Sequence, residues 1–346
     1  MKAKEFFSKR KFKWSFILSG LAGGLFLTFV LALTVGSVNI HPFLVTKILF
    51  SKIIGIPRTW PASFEAVIIG VRIPRILLGA LVGAALGVSG TAMQGLFRNP
   101  MASPYVTGVA SGAAFGASLM IVLGIGSFWI SPAAFLISVS TAFLVYSIAR
   151  ARNKVPVETL LLAGIAISLF FSALVSFTQY IAPEKQLRQI IFWLMGGLWG
   201  SNWDKVITCL PPILLGSVGI SLFSRDLNAM LSGEEAARNV GVEVKNIRKI
   251  VLILASLVTS SAVAVTGIIG FVGLIIPHIM RIFVGPDHRI LLPCSFLAGA
   301  IFLVWADILA RTLIAPTELP VGIITAILGV PFFLFLLRRR KKLMGF

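Results

Sequence analysis

The sequence predicts an all-α, polytopic membrane protein, and three observations carry that reading. Mean hydropathy is +0.97. Hydrophobic residues make up 57% of the 346 and charged residues only 12%, which excludes an ordinary soluble domain. Apolar runs of about 20 residues recur along the chain, each long enough to cross a hydrocarbon core about 30 Å thick. Helices satisfy their own backbone hydrogen bonds in lipid, so the runs are read as helical spans.

Ten spans are expected, at roughly 15–37, 76–96, 105–126, 128–149, 157–182, 206–224, 249–269, 271–284, 290–313 and 320–337. The first follows the basic tail 1–14, MKAKEFFSKRKFK and the residue after it. It is too long for a signal-peptide core and no A-x-A-like site follows, so it reads as a retained helix. The second carries Gly79, Gly83 and Gly87, the third Gly108, Gly112 and Gly116. Four-residue spacing puts these small residues on one face, where backbones can approach; packing within the chain is preferred over a seam between two copies. The fifth carries Gly164, Ser168, Ser172 and Ser176 at the same spacing, with Gln179 three residues on. That polar face either lines a water-filled route or hydrogen-bonds neighbouring helices. The eighth is short and contains Pro277. The ninth carries Asp307 and Arg311, an acid four residues before a base. Because the span ends near 313, Asp307 is read as orienting Arg311 at the outer surface; a proton relay is the alternative. No soluble domain fits in the gaps, so 1–346 reads as a single transmembrane domain.

The formal net charge of +19 is explained by topology. With the N-terminus inside, 22 of the 31 Lys and Arg fall on the cytoplasmic side. Both termini are then cytoplasmic and the chain is a multi-pass protein of the cell (inner or plasma) membrane; a nucleic-acid partner is not needed. The longest outer loop, 38–75, still carries five basic residues. Cys209, Cys294, His41, His278 and His288 show no metal-ligand spacing, and no G-x-x-x-x-G-K-[ST] loop is present. No catalytic cluster, metal site or cofactor is expected on this chain.

Between spans six and seven lies the loop 225–248, with the stretch LSGEEAARNVGV. Ser232 and Glu235 have capping-box spacing, Glu234 can pair with Arg238, and Gly241 stands where a helix would stop. A rigid helix of about eight residues over 232–240, some 12 Å long, is expected.

That stretch, with the following TGIIGFVGLIIPHIMR, resembles the permeases of type II ABC importers, the family that takes up iron-siderophores, haem and cobalamin. The likeness runs from about Val71 to Pro331. It includes RIPRILLGALVGAALGVSGTAMQGLFRNPMASPYVTGVASGAAFGAS, LLLAGIAIS, FWLMGGLWG, PDHRILLPCSFLAGA, ADILAR and ELPVGIITAILGVPFF. The resemblance implies ten helices per chain, a homodimer around one pathway, two ATPase subunits on the cytoplasmic face that use ATP and Mg, and a soluble substrate-binding protein outside. It makes 232–240 the coupling helix, with Ser232, Gly233, Glu234, Glu235, Arg238 and Gly241 at the ATPase. It makes Arg72, Arg75 and Arg311 the residues that hold acidic groups of the binding protein, and Asn99, Pro100 and Met101 part of the cytoplasmic gate. Val157, Glu158 and Thr159 stand where many relatives carry short hydroxyl residues. The cargo would be a metal chelate; an oxyanion transporter shares the same architecture. The rival class is an ion-driven secondary transporter, for which Asp307 is the deep acid.

Overall fold

The computed structural model describes residues 2–36, 40–54, 57–150 and 155–344, and among them there are helices and no strands. In chain order they are α1 (Lys2–Thr34), α2 (Pro42–Ile54), α3 (Ala62–Ala66), α4 (Ile73–Leu96), α5 (Val109–Val122), α6 (Ile130–Ala149), α7 (Val157–Ile181), α8 (Glu184–Met195), α9 (Trp203–Leu222), α10 (Ser224–Leu231), α11 (Glu234–Asn239), α12 (Val244–Thr266), α13 (Val272–Val284), α14 (His288–Thr312) and α15 (Val321–Met344). Each expected span has its helix. Seven helical stretches are long and apolar enough to cross a membrane; α2, α5, α13 and the apolar part of α15 are shorter.

Two boundaries differ from the sequence reading. The basic tail is not a separate segment, because α1 runs through it from Lys2. The second span begins well before residue 76: α3, a π-helical turn Val67–Arg72 and α4 form one continuous helix from Ala62. The outer loop 38–75 therefore holds α2 and that extension. Residues 151–154, which carry part of the basic ARARNK stretch, lie outside the described residues.

Helix α4 is the hub. It packs most extensively on α14 and also on α12, α13 and α9. Its glycines explain how. A Cβ on Gly83 would lie 2.1 Å from the Gly299 carbonyl oxygen, and one on Gly299 would lie 2.2 Å from that of Gly83. Gly87 meets the Ser295 carbonyl and Gly90 that of Gly273 in the same way. Backbone touches backbone along the whole seam, as small-residue faces allow. On α5, Gly112 faces Thr141 and Gly116 the Ala133 carbonyl, both of α6. Both glycine faces thus pack within the chain. Helices α1 and α7, by contrast, present many exposed Leu, Ile and Phe side chains, the surface that lipid or another chain covers.

The chain has two chemically distinct ends. Arg10, Arg98, α10, α11, the start of α12 and residues 285–289 meet at one, here the basic end. The C-terminus of α1, Arg72, Arg75, Arg311 and Glu318 meet at the other. Gly83→Ala should lower the stability of the detergent-solubilised protein by about 1–3 kcal/mol through overpacking. Gly23→Ala, where an added Cβ meets nothing within 4 Å, should leave it unchanged. Thermal unfolding of both variants checks this, and equal melting temperatures would disprove the seam's role.

Candidate functional site

At the basic end the loop 225–248 forms two helices, not one. Helix α10 continues to Leu231 and Ser232 closes it, in right-handed helical conformation. The break comes at Gly233, whose φ of +114° suits glycine alone, and Gly233 is the N-cap of α11 without any side-chain cap. The capping box expected from Ser232 and Glu235 is therefore absent, and the helix spans 234–239 instead of 232–240. A positive-φ glycine separates the two helices, so the Ser232 hydroxyl has no helix of its own to cap. The C-terminal signal holds. Gly241, at φ +85°, donates to the Arg238 carbonyl at 2.9 Å and Val242 to that of Ala237 at 3.0 Å, a Schellman closure.

Helix α11 is rooted on one side and bare on the other. Ala237 is fully buried. Glu234 pairs with Arg238 at 3.7 Å as the i,i+4 spacing suggested, but its closer partner is Arg248 of α12, which the local pattern did not reveal. Arg248 is buried and also donates to the Val155 carbonyl at 3.0 Å. Its hydrogen bond holds the Glu234 carboxyl below the usual carboxylate range. Glu235 and Arg238 are exposed, and so is Val240, at 71%. Val240, an open apolar side chain at the end of a short helix, is a candidate site residue that sequence reading missed.

The FRNPMASP turn sits beside α11. Arg98 takes φ +49°, an uncommon conformation for a non-glycine residue. Asn99 then builds the turn: its N–H donates to the Gln94 carbonyl at 3.1 Å, its carbonyl accepts from Ala102 at 3.0 Å, and its Oδ1 accepts from the Met101 N–H at 2.9 Å. Pro100, which lacks a donor, follows the end of α4. Pro100 and Met101 are half-buried. A cavity of about 670 Å³ is lined by Arg98 just before this turn, by Glu158 at the start of α7, by Glu234 and Arg238 of α11, and by Arg248 and Lys249 of α12. Arg98 and α11 thus face one cavity, and Asn99, Pro100 and Met101 are not among its walls.

A second cluster fixes the same end. Asp287 Oδ2 accepts from Arg10 at 2.9 Å and from Arg289 at 2.6 Å, and Asn228 Nδ2 of α10 donates to Oδ1 at 2.7 Å. Asn228 Oδ1 accepts in turn from the His288 backbone N–H at 2.8 Å. The Arg289 guanidinium keeps the Asp287 carboxyl well below its ordinary range. Asp287 is also the N-cap of α14, and an aspartate directly before an apolar run was the available signal.

At the opposite end, Arg72, Arg75 and Arg311 come together, but buried and not on the surface as expected. Arg72 donates to the Leu33 and Thr34 carbonyls at the end of α1, and Arg311 to that of Ala32 at 3.1 Å. Asp307 is 3.6 Å from Arg311, yet its stronger partner is Arg75, which reaches it through Nε at 3.0 Å and Nη2 at 2.9 Å. Arg75 Nη1 holds Glu318 at 2.9 and 3.1 Å. Residues 232 positions apart in sequence make the tighter pair, because α4 and α14 are pressed together by their glycines. Glu318, which had not been singled out, stands at the start of the ELPVG stretch.

The polar stripe of α7 is not uniform. Gly164 packs against the Val106 carbonyl and Ser168 is half-buried beside Gly108. Ser172 and Ser176 are exposed, Ser176 donating to the Ser172 carbonyl at 3.1 Å, and Gln179 is half-buried. Packing claims the first half and leaves the second facing outward.

Among known proteins, the profile of the FecCD transport family matches residues 24–339. The cobalamin import system permease protein BtuC of Halobacterium salinarum is 47% identical over 289 residues, 83% of this chain and 76% of that protein. The molybdate import system permease protein MolB of Haemophilus influenzae is 38% identical over 327 residues, 94% of this chain and 96% of that one. A solved inward-facing structure, assigned to a metal-chelate type ABC transporter, superposes with a TM-score of 0.83 at 38% identity, covering 93% of this chain and 99% of that chain.

Glu234→Gln and Arg248→Gln should be non-additive in thermal stability, with a coupling energy of about 0.5–3 kcal/mol. The sign with pH follows from the lowered Glu234 value: the contribution is full above about pH 4.3, the ordinary glutamate value, and fades as pH falls through the folded value. A melting profile between pH 3 and 7 that is the same for Glu234→Gln and the parent would contradict it.

Proposed function

This chain belongs to the FecCD transport family as the permease of an ABC importer, and from that premise we propose how it takes its place in the complex. Two copies enclose one pathway. Two ATPase subunits, which bind and hydrolyse Mg·ATP, seat on the basic end, and that end is cytoplasmic. A soluble binding protein delivers cargo to the opposite end, where the buried Arg72, Arg75 and Arg311 gather and their positive charge draws its acidic groups. The cargo is a metal chelate, a reading that rests on the cobalamin permease and on the metal-chelate type structure; the molybdate relative marks an oxyanion as the alternative.

The observation that carries the proposal is α11 itself, anchored inward by Ala237 and the Glu234–Arg248 pair and projecting Glu235, Arg238 and Val240. A helix held this way moves as a unit with α12. Closure of the ATPases would push α11, α12 would carry the displacement to α4 and α9, on which it packs, and the Asn99–Met101 turn would open or shut the cytoplasmic end. The exposed Ser172–Ser176 face of α7 would line the route between the copies.

A proton-driven carrier would need an intramembrane acid free to load and unload. Asp307 does not suit that role, because Arg75 occupies both of its oxygens and Arg311 stands beside them.

Changing Glu235, Arg238 and Val240 together to Ala, Ala and Asp spares the internal Glu234–Arg248 pair. Copurification of the ATPase subunits and ATP-dependent uptake into vesicles should each fall by about tenfold, the effect of losing contacts worth about 1.4 kcal/mol. Undiminished ATPase attachment and uptake would rule out α11 as the coupling element.

A further inference from the structure

The opposite end also carries an open cavity of about 500 Å³, lined by Lys185, Arg188, Gln189, Phe192, Trp199 and Glu318. Four of these residues lie on α8; Phe192 and Trp199 meet edge to face at 5.8 Å and form an aromatic wall. Glu318 is where this cavity touches the buried arginine cluster. Its side chain is 31% exposed, against 10% for Arg75 and 3% for Asp307, so it is the outermost member of the chain of ion pairs. The Leu319 N–H donates to the Ala310 carbonyl at 2.9 Å, which pins the backbone beside Glu318 and leaves the side chain as the part able to swing.

We propose that this cavity receives an acidic side chain of the soluble binding protein, and that Glu318 is the internal carboxylate holding its place on Arg75. The proposal rests on the reading that the outer arginines meet that protein. The geometry favours such an exchange. Asp307 fixes Arg75 through Nε and Nη2, so the guanidinium stays oriented while Nη1 trades one carboxylate for another. Trading like for like never leaves a buried cation unpaired, the costly alternative. Lys185 and Arg188 at the cavity wall supply attraction for an incoming acid, with Glu184 only 3.8 Å from Arg188 as a partial screen. Glu318 then sets specificity: a partner must outcompete a carboxylate already in place, so a neutral side chain gains nothing at this site.

The test uses the full permease–ATPase complex in lipid nanodiscs and the binding protein of its own transport system, with docking followed by surface plasmon resonance. Glu318→Gln keeps the shape and removes the competing charge, so docking should tighten by about tenfold, mainly through faster association. Glu318→Ala should act in the same direction. Lys185→Glu with Arg188→Glu should slow association by about tenfold at low salt. Docking unchanged or weakened by both Glu318 variants would overturn the proposal, as would an association rate indifferent to the two cavity cations. Arg311→Gln, in complexes that retain their ATPases, separates the two levels. If it abolishes docking while the Glu318 variants do nothing, the placeholder role alone falls. If docking is untouched by Arg311→Gln and by every cavity variant, the docking reading beneath it falls as well.

Discussion

The structure depends on one constraint, the backbone-to-backbone contact of α4 with α14. A single long helix, entered through a π-helical turn, carries Arg72 and Arg75 at one end and the Arg98–Met101 turn at the other. Its glycines let α14 approach until carbonyls fill the space where side chains would stand. That proximity places Asp307 against Arg75 at one end and His288 against Gly95 at the other. Both chemically active ends are therefore aligned by the same seam. A helix studded with larger residues would hold the same spans in lipid and lose the alignment.

What could be read from the sequence follows from how local each signal is. Each expected span has its helix, because a long apolar run is written into consecutive residues whether lipid or protein covers it. The closure at Gly241 was legible, since a helix C-terminus is set by a few neighbouring residues. Ser232 misled: its spacing from Glu235 fits a capping box, yet Gly233 interrupts the chain between them, and the decisive quantity was a backbone angle. Arg248, Glu318 and Asn228 were invisible for a different reason. Each acts on a group that tertiary packing brings to it, from 14 positions away for Arg248 and 243 for Glu318. The likeness to a family located the candidate sites but not the internal partners that hold them.

The two ends use charge differently. At the basic end, Glu234 and Asp287 are carboxylates surrounded by arginines, and each pins a short helix, α11 or α10, to a long one. Each pair joins a buried partner, Arg248 or Asp287, to one more open to solvent, and so fastens a short helix at the rim of the bundle. At the other end the pairs are buried, and breaking one would strand a charge. Fastening and enclosure are separate tasks, and the molecule assigns the first to the end that carries α10 and α11.

The end of α1 adds a further consequence. Its last turn offers the Ala32, Leu33 and Thr34 carbonyls to Arg311 and Arg72. This is the negative pole of a 33-residue helix macrodipole, equivalent to about half an electronic charge. Fractional charge satisfies guanidinium donors without cancelling a full cation. Three arginines gathered around two carboxylates therefore leave a positive field at the mouth of the bundle, shaped by low-dielectric walls and reaching about 8–10 Å into saline.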